Sequence, residues 1–278
     1  MDKNINSFFL NTLNYDEYIH SKETIKILKR ISSEKKGLNI ILYGNNGTGK
    51  KSLTKTFLYD FYKNIKLKID NYEYKNNSRR YNFLFYSNKN IKLVDIKLIQ
   101  HQKYIIDFLN DVKNENNTFM KYSQKHIVIK NSQLLEKNTF SSLRQLIEKF
   151  NKKQIYIIFL TNNISKFIDA IKSRCIILRL THIQQKDVRE IFNRLEIKLT
   201  KYYEKKLYKE FQPNIKKIIM NGIKYDILKE KVTINNNLKK IEKIIELLKK
   251  NKYLENITEI LYKIIRENKI ETFLEDFL

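Results

Sequence analysis

A nine-residue stretch of this sequence has the residue types and the spacing that bind phosphate groups. Three of the five glycines in the 278-residue chain fall within it, and glycine lets successive backbone N–H groups turn towards an anion without a Cβ clash. A lysine stands where the pattern G-x-x-x-x-G-K places the side chain that neutralises the outer phosphates. The predicted nucleotide-binding loop consists of Gly44, Asn45, Asn46, Gly47, Thr48, Gly49, Lys50, Lys51 and Ser52.

The residue after Lys50 departs from this pattern. The pattern has Ser or Thr there, whose hydroxyl holds a magnesium ion, whereas this chain has Lys51. An ammonium group cannot ligate a cation, so we expect ATP or ADP to bind with impaired handling of Mg²⁺. The alternative interpretation is a plain glycine turn between a strand and a helix, which the order strand, loop, lysine and helix disfavours.

Alternating strands and helices are predicted to position this loop. Short apolar runs bounded by polar segments are typical of buried strands in a parallel sheet, and helical patterns between them favour an α/β core. Two shorter β-like pieces, 81–86 and 91–94, predict an extra hairpin. The predicted strands are 40–43, 127–129, 155–160 and 176–180, and the predicted helices are 51–62, 96–113, 139–150 and 165–171.

The strand signal stops after about residue 182, which predicts a helical domain. Residues 185–195 and 201–211 have helical patterns, and Pro213 ends the second. Two amphipathic stripes near the C-terminus predict helices that pack against other subunits or, alternatively, a plain hairpin on its own domain. The predicted domains are an α/β nucleotide-binding core at 1–182, a helical lid at 183–234 and a C-terminal helical collar at 235–278.

Composition favours a polyanionic partner. The 55 Lys and Arg residues exceed the 30 Asp and Glu residues, for a net charge of +25, although an A/T-rich genome would also enrich lysine. The single cysteine excludes an internal disulfide framework, and with only four histidines it makes no zinc cluster. No apolar run approaches the roughly 20 residues that cross a bilayer. We therefore expect a soluble intracellular protein without a membrane partner.

Further motifs resemble one family of AAA+ ATPases. Residues 173–175 read Ser-Arg-Cys directly before the last predicted strand, and residues 143–150 resemble the helix motif Leu-Arg-Arg-Thr-Met-Glu-x-Tyr. Asn162 falls on the sensor-1 asparagine and Lys216 on the sensor-2 basic residue. Over residues 15–225 the chain resembles the small subunits of the replication factor C clamp loader. The resemblance implies an AAA+ P-loop core with a parallel sheet, a helical lid and a C-terminal collar.

The resemblance also implies which chemistry is missing. It places Lys130 and Asn131 on the Asp-Glu pair of the Walker B strand, where hydrolysis needs carboxylates for the metal and the attacking water. The sequence Gly-Thr-Gly-Lys-Lys is similar to that of the family member that does not hydrolyse ATP. Arg174 is then implied to be an arginine finger that acts on the ATP site of a neighbouring subunit. The alternative for Arg174 is a surface residue that caps the preceding helix.

The implied partners are the other subunits of a hetero-pentameric clamp loader, a sliding clamp and primer-template DNA, in the nucleus or at a cytoplasmic viral replication site. By position in the resembled fold, four lysines near helix starts are candidates for DNA phosphate contacts, although any single one is commonly just solvated surface. They are Lys97, Lys103, Lys137 and Lys166. Two rival hypotheses remain: a stand-alone AAA+ ATPase such as a helicase loader or remodeller, and a nucleotide-independent DNA-binding scaffold.

Overall fold

The computed structural model describes residues 14–63, 65–76, 79–114 and 124–228. Two compact units divide the chain, Met1–Gly222 and Ile223–Leu278. The strands are β1 (Ile40–Tyr43), β2 (Lys68–Asn76), β3 (Arg79–Ser87), β4 (Ile91–Asp95), β5 (Lys125–Lys130), β6 (Ile155–Thr161) and β7 (Ile176–Arg179). The α-helices are α1 (Lys22–Ser33), α2 (Lys50–Tyr62), α3 (Lys103–Asn114), α4 (Lys137–Asn151), α5 (Asp169–Lys172), α6 (Gln185–Arg194), α7 (Lys201–Phe211) and α8 (Ile215–Leu228).

In the described part of the chain the strands form one seven-stranded sheet in the order β2-β3-β4-β5-β6-β1-β7. Neighbours from β4 to β7 are parallel, whereas β3 is antiparallel to both β2 and β4. Because the parallel strands share one direction, the loops at their carboxyl ends meet along one edge, where α/β sheets bind ligands. The predicted phosphate loop follows β1, between β6 and β7. The structure confirms the predicted α/β fold with a parallel sheet.

The strand that carries the loop is buried on both faces. Ile41 belongs to the hydrophobic cluster that includes Phe108 of α3 and Leu143 of α4. Leu42, on the opposite face, belongs to the cluster that includes Phe57 of α2. Burial of an aliphatic side chain of this size contributes about 1.5–3 kcal/mol, so the start of the loop is fixed by packing on both sides of the sheet.

The antiparallel edge differs from the predicted hairpin of 81–86 with 91–94. β3 does pair with β4, but only over two residue pairs. Its longer partner is β2, over nine residue pairs, while β4 also lies parallel to β5. The sequence did not predict β2 because an edge strand is paired on one side only and this one is mostly polar, without the apolar run of a buried strand.

Two predicted helices each contain a separate short 3₁₀ turn. Residues 96–113 divide into the turn Ile96–Leu98 and α3, and residues 165–171 divide between the turn Ile164–Lys166 and α5. In both cases the side chain just before the turn accepts a hydrogen bond from a backbone N–H within it, at 3.1 Å and 2.9 Å respectively. Short polar side chains compete in this way with a continuous helix.

The helical part that follows β7 begins as predicted. α6 and α7 match the two predicted helices, and Pro213 lies just after α7. α8 is an additional helix that the sequence patterns did not identify. The predicted lid boundary at residue 234 and the collar at 235–278 lie outside the described residues, as do the two amphipathic stripes. Over the described residues, no helix is both long and apolar enough to cross a bilayer.

Candidate nucleotide-binding site

The loop after β1 has the backbone of a phosphate-binding turn. Gly47 and Gly49 adopt left-handed φ values of 75° and 89°, which residues with a Cβ rarely adopt. α2 begins directly after Gly49, so its first N–H groups face the loop. The buried Thr48 hydroxyl donates to the Asn45 carbonyl at 2.8 Å, and Nε2 of His20 donates to the Thr48 carbonyl at 3.0 Å. These two hydrogen bonds fix the loop, one within it and one from the segment before α1.

The ammonium group of Lys50 lies folded over this loop. Nζ donates to the Gly44 carbonyl at 2.6 Å and to the Asn45 carbonyl at 2.8 Å. Burial lowers the pKa of Lys50 to about 8, because a partly desolvated ammonium group is less stable than one in water. A phosphate group would compensate this desolvation, so Lys50 is placed to gain from an anion in the loop.

Lys130 and Lys216 lie close to Lys51 in the first turn of α2. The pKa of Lys51 is lowered to about 8, first by burial and then by the positive charges of Lys130 and Lys216, while Asp95 raises it and Lys55 lowers it. Lys130 ends β5 and Lys216 lies in the first turn of α8, so lysines from three separate elements come together at the loop. Like charges gathered this closely are typical of a site for a polyanion.

The two residues that the resemblance places on the catalytic carboxylates both contact a third residue, Asp95. Lys130 Nζ pairs with Asp95 Oδ2, and Asn131 Nδ2 donates to Asp95 Oδ1 at 2.6 Å. Asp95 ends β4, next to the end of β5, and its side chain is only 14% exposed. Its second role is to accept a hydrogen bond from the Lys97 backbone N–H at 3.1 Å. Asp95 therefore has its charge matched and its oxygens occupied within the protein.

A cavity of about 790 Å³ opens above the loop, within the size range of small-molecule sites. The side chains around it divide into a charged half near the loop and an apolar half near α6 and α8. The described lining residues include six cations and no carboxylate. The cations are Lys50, Lys51, Lys55, Lys130, Arg194 and Lys216, and the apolar half comprises Ile19, Leu160, Ile191, Leu195, Ile215, Ile219 and Met220.

Most of the predicted nucleotide-binding residues line this cavity. The structure brings together Asn46, Gly47, Gly49, Lys50, Lys51, Ser52, Asn162 and Lys216. The remaining predicted residues, Gly44, Asn45 and Thr48, do not line the cavity; their backbone and hydroxyl groups bond within the loop. The predicted set is therefore divided between residues that face the cavity and residues that shape the loop behind it.

Asn214, the residue just before α8, packs against the loop. Oδ1 of Asn214 accepts a hydrogen bond from the Lys217 backbone N–H at 3.1 Å. A Cβ added to Gly47 would lie 1.9 Å from the same oxygen. The absence of a side chain at Gly47 thus permits this contact, which also places Lys216 at the cavity.

Several cavity residues were not predicted from the sequence. Tyr18, Ile19 and His20 reach the cavity from the segment before α1, and Gln133 reaches it from the turn after β5. The Gln133 side chain accepts from the backbone N–H of Asn162 at 3.4 Å. No local motif marks these residues. Asp95 had one usable signal, since it is an acidic residue at the carboxyl end of a predicted strand.

Arg174 lies away from this cavity, in the turn after α5. Its Nη2 donates to Oε1 of Glu148 at 2.7 Å, its Nε donates to the same oxygen at 3.1 Å, and its Nη1 donates to the Ala170 carbonyl at 2.8 Å. It lines a separate depression of about 290 Å³ with Asn39 and Tyr156. Arg174 is therefore not placed to contact a nucleotide in its own chain.

The four candidate DNA-contacting lysines lie at element starts or short turns near the carboxyl edge of the sheet. Lys103 and Lys137 are the first residues of α3 and α4. Lys97 and Lys166 lie in the two 3₁₀ turns, and the side chains of Lys97, Lys137 and Lys166 are exposed. Gln102 joins the starts of the two helices, since its Oε1 accepts from the Glu136 backbone N–H at 2.7 Å. Their contact with DNA remains a prediction.

The donor set does not fit a magnesium ion. Mg²⁺ in phosphate-binding sites is held by carboxylate and hydroxyl oxygens, and the described cavity lining supplies no carboxylate. Lys51 stands where the loop pattern has a hydroxyl, and the resemblance places Lys130 on a carboxylate. Elsewhere in the described residues, no group of three or more His, Cys, Asp or Glu side chains could hold a metal ion.

Known proteins resemble this chain in sequence. Similar relatives include a protein named as a replication factor C small subunit of Acanthamoeba polyphaga mimivirus, 30% identical over 167 residues, covering 57% of this chain and 44% of the relative. Replication factor C subunit 5 of Saccharomyces cerevisiae is 27% identical over 173 residues, covering 58% of this chain and 49% of the relative. The chain thus spans about half the length of these relatives.

Solved structures share its fold. The Holliday junction branch migration motor RuvB of Thermotoga maritima matches with a TM-score of 0.55 and 16% identity, covering 85% of this chain and 73% of RuvB. AMPPCP-bound DnaA of Aquifex aeolicus matches with a TM-score of 0.57 and 14% identity, covering 86% of this chain and 73% of DnaA. At these identities the likeness shows the fold alone, an α/β fold that this chain shares with RuvB and DnaA.

One family matches most of the α/β core. The family described as "DNA polymerase III, delta subunit" matches residues 20–184, a range that holds the phosphate loop, all seven strands and the Ser-Arg-Cys motif. This range is more than half of the 278 residues, and the sequence relatives are replication factor C subunits. The chain belongs to the DNA polymerase III delta subunit family.

Proposed function

We propose that the chain is a small subunit of a replication factor C-like clamp loader, which binds ATP or ADP with little or no hydrolysis of its own. The observation that carries this proposal is the contact of both Lys130 and Asn131 with Asp95 at the edge of the cavity. In the resembled family these two positions hold the carboxylates of hydrolysis. Here they hold an ammonium group and a neutral amide, which can neither accept a proton nor bind a magnesium ion as well as a carboxylate does.

Hydrolysis requires a base or an orienting group for the attacking water. Asp95 is the nearby carboxylate, but it is ion-paired with Lys130 and hydrogen-bonded to Asn131. Asn131 is an amide with no basic group. Nucleotide binding itself needs only the loop, the helix start and the cations, and these are present. Binding without turnover is therefore the behaviour that this donor set supports.

Binding and turnover can be measured separately on the purified chain. We expect labelled ATP and ADP to bind the wild-type protein and to bind Lys50→Ala at least tenfold more weakly, because the loop loses its phosphate cation. Steady-state ATPase of the wild type should equal that of Lys50→Ala, since neither hydrolyses ATP. Turnover well above the Lys50→Ala control would contradict the proposal, and so would the absence of nucleotide binding.

Arg174 is proposed to act on the nucleotide site of a neighbouring subunit. Its position outside its own cavity supports action in trans, and its guanidinium would have to leave Glu148 to reach a partner. An arginine finger contributes about 10³–10⁵ to the turnover rate where measured. In an assembled complex, Arg174→Ala should lower DNA-stimulated ATPase by at least tenfold. Lys172→Ala, the loss of a nearby cation paired with Asp169 at 3.0 Å, should leave it unchanged.

Assembly with other clamp-loader subunits, a sliding clamp and primer-template DNA is part of the proposal. The subunit names of the relatives support assembly, and their viral and eukaryotic sources fit a nuclear or viral replication site. Contacts to phosphates predict that DNA affinity falls steeply with salt. Replacing Lys97, Lys137 and Lys166 together by Gln should reduce the slope of log K against log salt. An unchanged slope would remove these lysines from the interface.

A further inference from the structure

We infer that this cavity binds a nucleoside di- or triphosphate without a divalent cation, and that the ammonium groups of Lys51 and Lys130 take the place of the metal. This inference rests on the proposed nucleotide binding and names the ionic form that the site takes. Its basis is the charge of the described lining, which has six cations and no carboxylate. A metal-free triphosphate carries two more negative charges than its magnesium complex, so it suits such a lining better.

The two lysines stand where a metal ion and its ligands would be. Lys51 occupies the first turn of α2, directly after the phosphate lysine, at the position whose hydroxyl holds the metal in metal-dependent loops. Lys130 ends β5 at the position of a metal-binding carboxylate. The positive charge of Lys130 lowers the pKa of Lys51, and both side chains line the same cavity. The two ammonium groups are therefore close enough to interact with the same ligand.

Asp95 fixes one of these ammonium groups. Lys130 Nζ is paired with Asp95 Oδ2, and Asn131 holds the other carboxylate oxygen. Both oxygens of the Asp95 carboxylate are therefore bonded within the protein, where they position Lys130 and do not bind a metal. Because Asp95 is mostly buried, the Lys130 side chain is held in one place and not left to sample solvent.

A divalent cation would be repelled from this position. Like charges repel each other more strongly in a partly buried site than in water, and a magnesium ion carries two positive charges. The two lysines would both oppose it, with no carboxylate in the described lining to compensate. The phosphate oxygens of a metal-free nucleotide would instead gain direct ammonium contacts of the charge-assisted kind.

The test compares nucleotide affinity with and without magnesium. ATP and ADP are titrated into the wild-type chain by calorimetry, once with excess EDTA and once with excess Mg²⁺. We expect ATP to bind at least threefold more tightly in EDTA. Affinity that is equal or weaker in EDTA would overturn the inference while leaving the proposed nucleotide binding intact. Absence of binding in both conditions would overturn the inference and the proposed function together.

Two variants test whether Lys51 replaces a metal ion or only adds positive charge to the cavity. Lys51→Thr restores the hydroxyl of the metal-dependent pattern, so its affinity for the magnesium complex of ATP should rise above wild type. Lys55→Met removes another cavity cation one helical turn further along α2, so its affinity for the same complex should fall. If Lys51→Thr weakens the magnesium complex as much as Lys55→Met does, Lys51 has no metal-replacing role and the inference fails.

Discussion

Replacing Asp95 by Asn should destabilise the folded chain and strengthen its binding of ATP. Asn keeps the shape of the side chain and an oxygen that can accept from the Lys97 backbone N–H, so the substitution removes mainly the charge. Lys130 then loses its ion-pair partner beside Lys51. Stability falls because an ammonium group is left without its carboxylate. Anion affinity rises because the positive charge of Lys130, which already lies at the cavity, is no longer offset by that carboxylate.

The magnitude follows from the exposure of the pair. Two unit charges 4 Å apart interact by about 1 kcal/mol in water and about 4 kcal/mol at a typical protein surface. The Asp95 side chain is 14% exposed and the Lys130 side chain is 35% exposed, so the pair lies between these limits. We expect Asp95→Asn to lower the free energy of unfolding by about 2 kcal/mol, in line with the cost of losing a charged hydrogen bond.

Urea denaturation followed by circular dichroism measures this change. The matched control is Asp169→Asn, which breaks the pair with Lys172 at 3.0 Å, where Asp169 is 98% exposed; exposed pairs contribute about 0–1 kcal/mol. A double-mutant cycle with Lys130→Met should give a coupling energy of about 1–2 kcal/mol. If Asp95→Asn costs no more than Asp169→Asn, or the coupling is absent, the structural role given to Asp95 is refuted.

The remaining predictions concern the loop, its lysines and a buried histidine. Gly47→Ala should abolish ATP binding, since its Cβ would lie 1.9 Å from the Asn side chain against it, whereas Gly49→Ala, with no atom within 4 Å, should cost about 1–2 kcal/mol of unfolding free energy from backbone strain alone. ATP affinity measured by calorimetry should fall as the pH rises through about 8, because Lys50 and Lys51 lose their protons there. Burial lowers the pKa of His126 from 6.5 to about 3, so the unfolded chain binds a proton that the folded chain does not, and urea stability should fall as the pH drops below 6.5.

Each of these predictions has a result that contradicts it. Equal ATP affinity for Gly47→Ala and Gly49→Ala would mean that the contact at the loop is not required. An ATP affinity that stays constant from neutral pH to well above 8 would show that the two loop lysines do not bind the phosphates. For the histidine, His126→Phe should remove part of the acid sensitivity, and an unchanged pH profile would assign that sensitivity to other groups.

The sequence predicted the centre of the fold well because the signals there are local. Glycine spacing in the loop and short apolar runs in the strands each lie within a few residues of one another. They predicted the loop between β1 and α2, the α/β core, and helices α6 and α7. β2 escaped prediction because a polar edge strand has no apolar run, and its partner β3 decides its conformation.

The sequence by itself determined which groups are present: a glycine-rich loop, a second lysine directly after Lys50, and Lys130 with Asn131 at the end of a strand. Only the tertiary structure decided what these groups contact. Asp95 and Lys130 are 35 residues apart, and they meet because β4 and β5 are parallel neighbours that end together at one edge of the sheet. Arg174 and Glu148, and likewise Asn214 and the loop, are also far apart in the sequence and are brought into contact by the packing of the helices and strands. Strand order and helix packing, which no local pattern encodes, bring distant side chains to one place.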